Sequence, residues 1–344
     1  MIRKVVVGSM LTASVAVAQP EISLDYNFMM HSNDQGYLKV DGQDDPSRIN
    51  NFAVDADLLI NKAVNDLSFE VTFVMTEGTF ADGADTYLVS KKFSDSLSLS
   101  LGKGSFKVGG LENDDGGDVN LSNEYGNNHH LGSGTLVQVD YGMGNNTFTL
   151  QLGDDVVATS LASDGSCPEV ARNCARYNTA NKQPAIFLQY AGKFGMIEPL
   201  VQINSYDSGH SMETALGVKF ATGAASGYVD YVMNNVGYKT GGKEYTDKLA
   251  AISLYAQYEM GKLTPNFKYV SYDVTQDGTD LSGNTSRSAF DDNHSAVALG
   301  AGYAMADNFT TYFELTNSSQ TVTESGKDES LSQMVVTIGA KGSI

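Results

Sequence analysis

Apolar and polar residues alternate with period two down most of the chain. In Leu67–Met75, Leu67, Phe69, Val71, Phe73 and Met75 fall on one parity, and Ser68, Glu70 and Thr72 on the other. Such alternation predicts a strand with one apolar and one polar face. The same pattern predicts strands over Glu21–Met30, Ile49–Ile60, Asp66–Thr76, Asp85–Phe93 and Ser96–Val108. It resumes over Gly134–Tyr141, Asn146–Gly153, Pro184–Ala191, Ile197–Tyr206, Met212–Ala221 and Ala225–Met233. Leu249–Glu259, Leu263–Tyr272, Ser295–Ala304, Asn308–Thr316 and Leu331–Ile344 complete the set. The total is about sixteen strands of roughly 8–12 residues, long enough to cross a bilayer at a tilt.

Connection lengths alternate as well. Short links fall near Asn61–Asn65, Ser94–Asp95, Gly142–Asn145, Gly192–Met196, Thr222–Ala224, Met260–Lys262 and Met305–Asp307. Long ones fall near His31–Arg48, Glu77–Ala84, Gly109–Ser133, Asp154–Gln183, Asp207–Ser211, Asn234–Lys248, Gln276–His294 and Asn317–Ser330. A soluble β-sandwich has no reason to sort its loops this way, whereas a transmembrane antiparallel β-barrel with short periplasmic turns and long extracellular loops does. The apolar parity, nearly free of charge, is expected to face outer-membrane lipid. Its aromatics near the short turns (Phe93, Tyr141, Phe148, Tyr190, Phe220, Tyr258, Tyr303 and Phe309) are placed for a periplasmic girdle.

The other parity is polar, which calls for a wet interior. Asp55, Asp57, Glu70, Asp140, Asp230 and Glu314 are expected to line it, with Lys219 and Lys268 among its few basic residues. The longest glycine-rich acidic link, Gly109–Ser133, is predicted to fold inward. It would bring Glu112, Asp114, Asp115, Asp118 and Glu124 to a constriction. A structureless loop of that length in a compact domain is usually functional or disordered.

Residues 1–18 read as a secretory signal: Arg3 and Lys4, a short apolar core, and a small-residue site at Ala16-Val17-Ala18. That core is too short to span a bilayer as a helix. From Gln19 onward the chain carries 20 Lys+Arg against 41 Asp+Glu. Such an excess of acid excludes nucleic acid as a partner, since phosphates require a basic face. Cys167 and Cys174, close together in an exported chain, are expected to form a disulfide.

These features together resemble the general bacterial porin family of Gram-negative outer membranes. The resemblance spans Gln19 to Ile344 and rests on the signal, the strand count and Gly109–Ser133 standing as the third long loop. It implies a third loop that narrows the barrel, and a homotrimer. Three features depart from the family: its third-loop Pro-Glu-aromatic-Gly-Gly signature is missing, the chain ends in Ile344 instead of Phe, and no arginine cluster faces the loop.

The expected function is passive diffusion of ions and small hydrophilic solutes, with a preference for cations set by the acidic constriction. A substrate-selective channel, for example for sugars stacking on Tyr228, Tyr255, Tyr272 and Tyr312, is the nearest alternative. A surface hydrolase is weaker. His31, His129, His130, His210 and His294 all fall in expected long loops, where chance places them near Asp and Ser. The loop bearing the cysteine pair is the natural candidate for adhesion. Asp114-Asp115-Gly116-Gly117-Asp118 offers oxygens to Ca²⁺ but lacks the full spacing of a calcium loop. No metal site, cofactor or catalytic residue is assigned.

Overall fold

The computed structural model describes residues 20–34, 49–76, 79–80, 86–107, 110–111, 133–154, 184–206, 211–240, 243–276, 290–324 and 327–343. The expected signal, most of the third long loop and the cysteine pair lie outside these residues. The described chain is a closed antiparallel barrel. Its strands are β1 (Glu21–Asp34), β2 (Ile49–Val64), β3 (Leu67–Thr76), β4 (Thr79–Phe80), β5 (Thr86–Ser94) and β6 (Leu97–Ser105). Next come β7 (Ser133–Met143), β8 (Asn146–Asp154), β9 (Pro184–Gly192), β10 (Ile197–Tyr206), β11 (Ser211–Thr222) and β12 (Ala225–Thr240). Last are β13 (Lys243–Tyr258), β14 (Leu263–Gln276), β15 (Phe290–Ala306), β16 (Phe309–Glu324) and β17 (Lys327–Ser343).

Two-residue β4 pairs only with β3, on the same side as β5, so the two form one stave and the barrel has sixteen. Each strand pairs with its sequence neighbour, and β1 pairs with β17 in a register that sets Asp25 opposite Ser343. Closure leaves no open sheet edge, as a bilayer requires.

The outward face inverts the usual order of a soluble protein. Leu152, Ile186, Leu188, Leu216, Val229, Ile252, Leu299, Phe313 and Ile338 are all exposed. Moving each such side chain from water into hydrocarbon contributes roughly 1.5–3 kcal/mol. Toward one end the outward row becomes aromatic, with Phe93, Tyr141, Phe148, Phe220, Tyr258 and Tyr303 exposed. Exposed Met143, Met196, Met260 and Met305 join them there.

Among the described residues, the two-residue turns lie at this end. Four of them start on a glycine at positive φ, Gly144, Gly195, Gly223 and Gly261, between 56° and 65°. A hairpin needs that left-handed first residue to match the strand twist. At the β2–β3 turn Asn65 supplies it with φ 54°.

Two expected long connections prove to be mostly strand. β12 runs to Thr240 before β13 begins at Lys243, and β16 runs to Glu324 before β17 begins at Lys327. Beyond the apolar belt the residues of these hairpins are mostly polar, so the period-two signal fades while the ladder continues. One outward rung there is serine across four strands, Ser271, Ser295, Ser319 and Ser332. Ser295 Oγ and Ser319 Oγ lie 3.0 Å apart. Strand extension also puts His31 in β1 and His294 in β15, correcting their assignment to loops.

Candidate functional site

The interior is organised by the few residues that follow β6. The alternation predicts a strand as far as Val108, but β6 ends at Ser105. From there the chain turns into the barrel. Phe106 is buried with Leu136, Ala185 and Phe187, and it stacks on Phe187 with centroids 4.6 Å apart and planes 22° apart.

Backbone bonds to inward polar side chains carry the chain onward. Lys107 N donates to Gln151 Oε1 at 2.8 Å, and Asn204 Nδ2 donates to Lys107 O at 3.0 Å. Gly110 N donates to Gln202 Oε1 at 2.9 Å. Gly110 has φ +72° and lies so close to Asp230 that a Cβ would collide with its carboxylate. Leu111 then packs into a buried cluster with Leu200, Tyr228, Tyr255 and Ala298. Gly217 completes that seat, since a Cβ there would come within 2.5 Å of the Leu111 side chain.

A second layer braces the seat. Glu213, buried, accepts from Asn204 Nδ2 at 2.9 Å and from Asn234 Nδ2 at 3.3 Å. Gln151 Nε2 donates to Ser105 O at 3.1 Å and to Gln138 Oε1 at 2.8 Å. Gln138 Nε2 donates in turn to Asp140 Oδ2 at 2.8 Å, while Thr149 Oγ1 donates to Asp140 Oδ1 at 2.7 Å. Amide and carboxylate side chains suit this role, because they satisfy an irregular backbone that no ladder can reach.

The seat divides the inward wall into a covered part and an open part. Asp230, Lys268 and Glu314, expected to line the lumen, are 1%, 1% and 3% exposed. All three are buried within the wall. Asp57 is exposed, and Glu70, Asp140 and Lys219 are half-buried. Asp55 lies opposite Asn27 in the β1–β2 register.

Glu112, Asp114, Asp115, Asp118, Glu124, Cys167 and Cys174 fall outside the described residues. Tyr228, Tyr255 and Tyr312 are buried, which closes the stacking path a sugar would need along them. His294 packs edge-on against Tyr272 at 4.8 Å, as part of the wall.

At the short-turn end, Lys92 Nζ meets Asp95 Oδ1 at 2.9 Å and Lys193 Nζ meets Glu198 Oε1 at 2.8 Å. The hydrogen bond from Lys92, followed by its charge, holds the Asp95 carboxyl below its ordinary range.

No protein-family model and no curated protein matches the chain. Solved structures match nearly all of it. A loop L8 deletion mutant of OmpT, an outer membrane protein of Vibrio cholerae, is 15% identical over 95% of this chain and 99% of its own, with TM-score 0.63. The trimer form of in-vitro folded OmpT is also 15% identical, over 95% and 100%, with TM-score 0.59. The outer membrane channel DcaP of Acinetobacter baumannii is 12% identical over 96% and 99%, with TM-score 0.63. The fold is that of a Gram-negative outer-membrane porin. An anion-selective porin from Comamonas acidovorans shares it at 12% identity over 95% and 100%, with TM-score 0.61.

Within this porin fold, sequence reading missed the seat formed by Phe106, Gly110 and Leu111. A signal for it exists. Leu97, Leu99 and Leu101 keep the outward parity apolar, but Lys103 and Ser105 break it, and inward Ser98 and Ser100 give way to Phe106. An inverted pattern marks a chain leaving the wall for the interior.

Proposed function

We propose that the chain forms a water-filled channel in the Gram-negative outer membrane for passive diffusion of ions and small hydrophilic solutes, with a preference for cations. The observation that carries this reading is the division of the inward wall. Phe106 packs against β7 and β9 and Leu111 against β10, β12, β13 and β15, while the uncovered wall presents Asp25, Asp57, Glu70 and, at the turn-side end of β7, Asp140.

Leu111 is held inside the barrel, so the acids that follow it in sequence (Glu112, Asp114, Asp115, Asp118 and Glu124) set the charge of a constriction formed by the loop through residue 133. Carboxylates on both sides of a narrow aqueous path focus a field that repels anions. The role is that of a channel and not of an enzyme. Three barrels associate through part of their apolar outward face, a reading supported by the trimer form of OmpT.

The test is the reversal potential of the purified protein in a planar bilayer under a KCl gradient. Stepwise conductance with a cation-selective potential is expected. Joint replacement Glu112→Gln, Asp114→Asn, Asp115→Asn and Asp118→Asn should lower the cation preference severalfold. An anion-selective potential would overturn the account of the constriction while leaving the channel. Absence of conductance from folded barrels would overturn the channel.

A further inference from the structure

At the short-turn end a cavity of about 460 Å³ opens against the uncovered wall, between the β2–β3 and β5–β6 turns and β7. Its volume lies within the range of roughly 300–1,000 Å³ typical of small-molecule sites. Serine dominates its lining: Ser68, Ser90, Ser98 and Ser100, together with Asp140 and Lys92.

The register makes this an ordered array. Ser68 lies opposite Ser90, Ser90 opposite Ser100, and Ser100 opposite Gln138, so one inward rung carries three hydroxyls and an amide. Ser90 Oγ and Ser100 Oγ are 2.7 Å apart. One rung closer to the turns, Ser98 Oγ donates to Asp140 Oδ2 at 3.4 Å. That carboxylate is already fixed by Gln138 and Thr149, and it keeps acceptor capacity toward the cavity.

Two ion pairs stand at the rim, Lys92 with Asp95 at 2.9 Å and Lys91 with Asp66 at 3.2 Å. Asp140, the acid deeper in the lining, is held by the neutral donors Ser98, Gln138 and Thr149. A lining of adjacent hydroxyls beside one pre-positioned acceptor matches a ligand that both donates and accepts at several adjacent oxygens.

We propose that this cavity is a subsite for uncharged polyhydroxylated solutes of sugar size, at the short-turn mouth of the channel. The inference rests on the channel reading above. It places solute preference on the serine array, apart from the acidic constriction.

The experiment is current block in planar bilayers conducting KCl, with glucose as probe and triethylene glycol as a comparably small control bearing fewer hydroxyls. Glucose is expected to reduce the current more strongly than the control. Combined Ser68→Ala, Ser90→Ala, Ser98→Ala and Ser100→Ala should weaken glucose block by about tenfold, the loss of one or two net hydrogen bonds, with KCl conductance unchanged. The Ser90→Thr, Ser100→Thr pair keeps the hydroxyls and should retain block.

Equal block by both solutes, or undiminished glucose block in the alanine variant, would overturn the subsite while leaving the channel intact. If the fourfold variant does not fold, Ser68→Ala and Ser98→Ala singly are read in the same way, each expected to weaken block by about threefold. A folded wild-type barrel without KCl conductance would instead remove the channel reading on which the subsite rests.

Discussion

The backbone amide of Gly110 donates to Oε1 of Gln202 across 2.9 Å, tying the chain that leaves β6 to the inward face of β10. The contact requires the backbone to pass directly over Asp230, which a residue with a Cβ could not do. A single glycine therefore fixes how far the start of the third long loop enters the barrel.

Gly110→Ala is expected to loosen this seat. The alanine meets both a left-handed backbone, at φ +72°, and the Asp230 carboxylate. Strain of this kind costs about 1–3 kcal/mol, enough to raise the unseated population by roughly tenfold. Single-channel records should show added flicker or further conductance levels. The thermal stability of the barrel, followed by circular dichroism, should fall by no more than that strain, because the ladder itself does not involve Gly110.

Phe106→Ala acts on stability instead. Phe106 fills the space left by Gly153 and stacks on Phe187 within a buried cluster. Removing a buried Phe costs about 3–5 kcal/mol. Urea titration of the barrel folded into vesicles should show a lowered midpoint, with Leu111→Ala lower by about 2–5 kcal/mol on the same ground. An unchanged midpoint for both variants would mean that the seat contributes nothing to the folded barrel.

The belt was legible in the sequence because lipid on one side and water on the other enforce alternation, as in Leu67 to Met75. Where the sequence turns mostly polar the same strands leave little trace, and the upper halves of β12, β13, β16 and β17 read as loop. Parity likewise puts Asp230, Lys268 and Glu314 on the polar face, and the structure buries all three. It carries no information on what packs over them, since that depends on contacts such as Leu111 with Tyr228, more than a hundred residues apart in the chain. The polar inward face was therefore readable, and its division into covered and open parts was not.

That division predicts which acids govern permeation. Asp57 and Glu70 border the uncovered wall, whereas Asp230 is 1% exposed. A unit charge roughly 10 Å from a passing ion in water contributes about 0.4 kcal/mol, or about twofold in permeability ratio. Asp57→Asn combined with Glu70→Gln should shift the reversal potential under a KCl gradient toward zero by the sum of two such effects. Asp230→Asn should leave it in place. The reverse ranking would mean that the permeation path runs along β12 and that the covered wall is open in the membrane.

The outward face supplies the last test, because its apolar belt and its polar upper rungs make opposite demands on the same substitution. Val229 is exposed on β12, between Val218 and Leu254 in register and four residues from the turn-side end of its strand. An arginine there would face the hydrocarbon. Val229→Arg should cost about 2–4 kcal/mol, the penalty for a basic residue near the bilayer midplane. Ser319 also points outward, but it lies on the all-serine rung of β14–β17 above the belt. Ser319→Arg should cost about 0–1 kcal/mol, as near the interface. Urea titrations of both variants in vesicles measure the difference directly. Equal penalties would place the serine rung within the hydrocarbon, and the hydroxyl pairing across β15 and β16 would then be a device for hiding polar groups from lipid instead of meeting water.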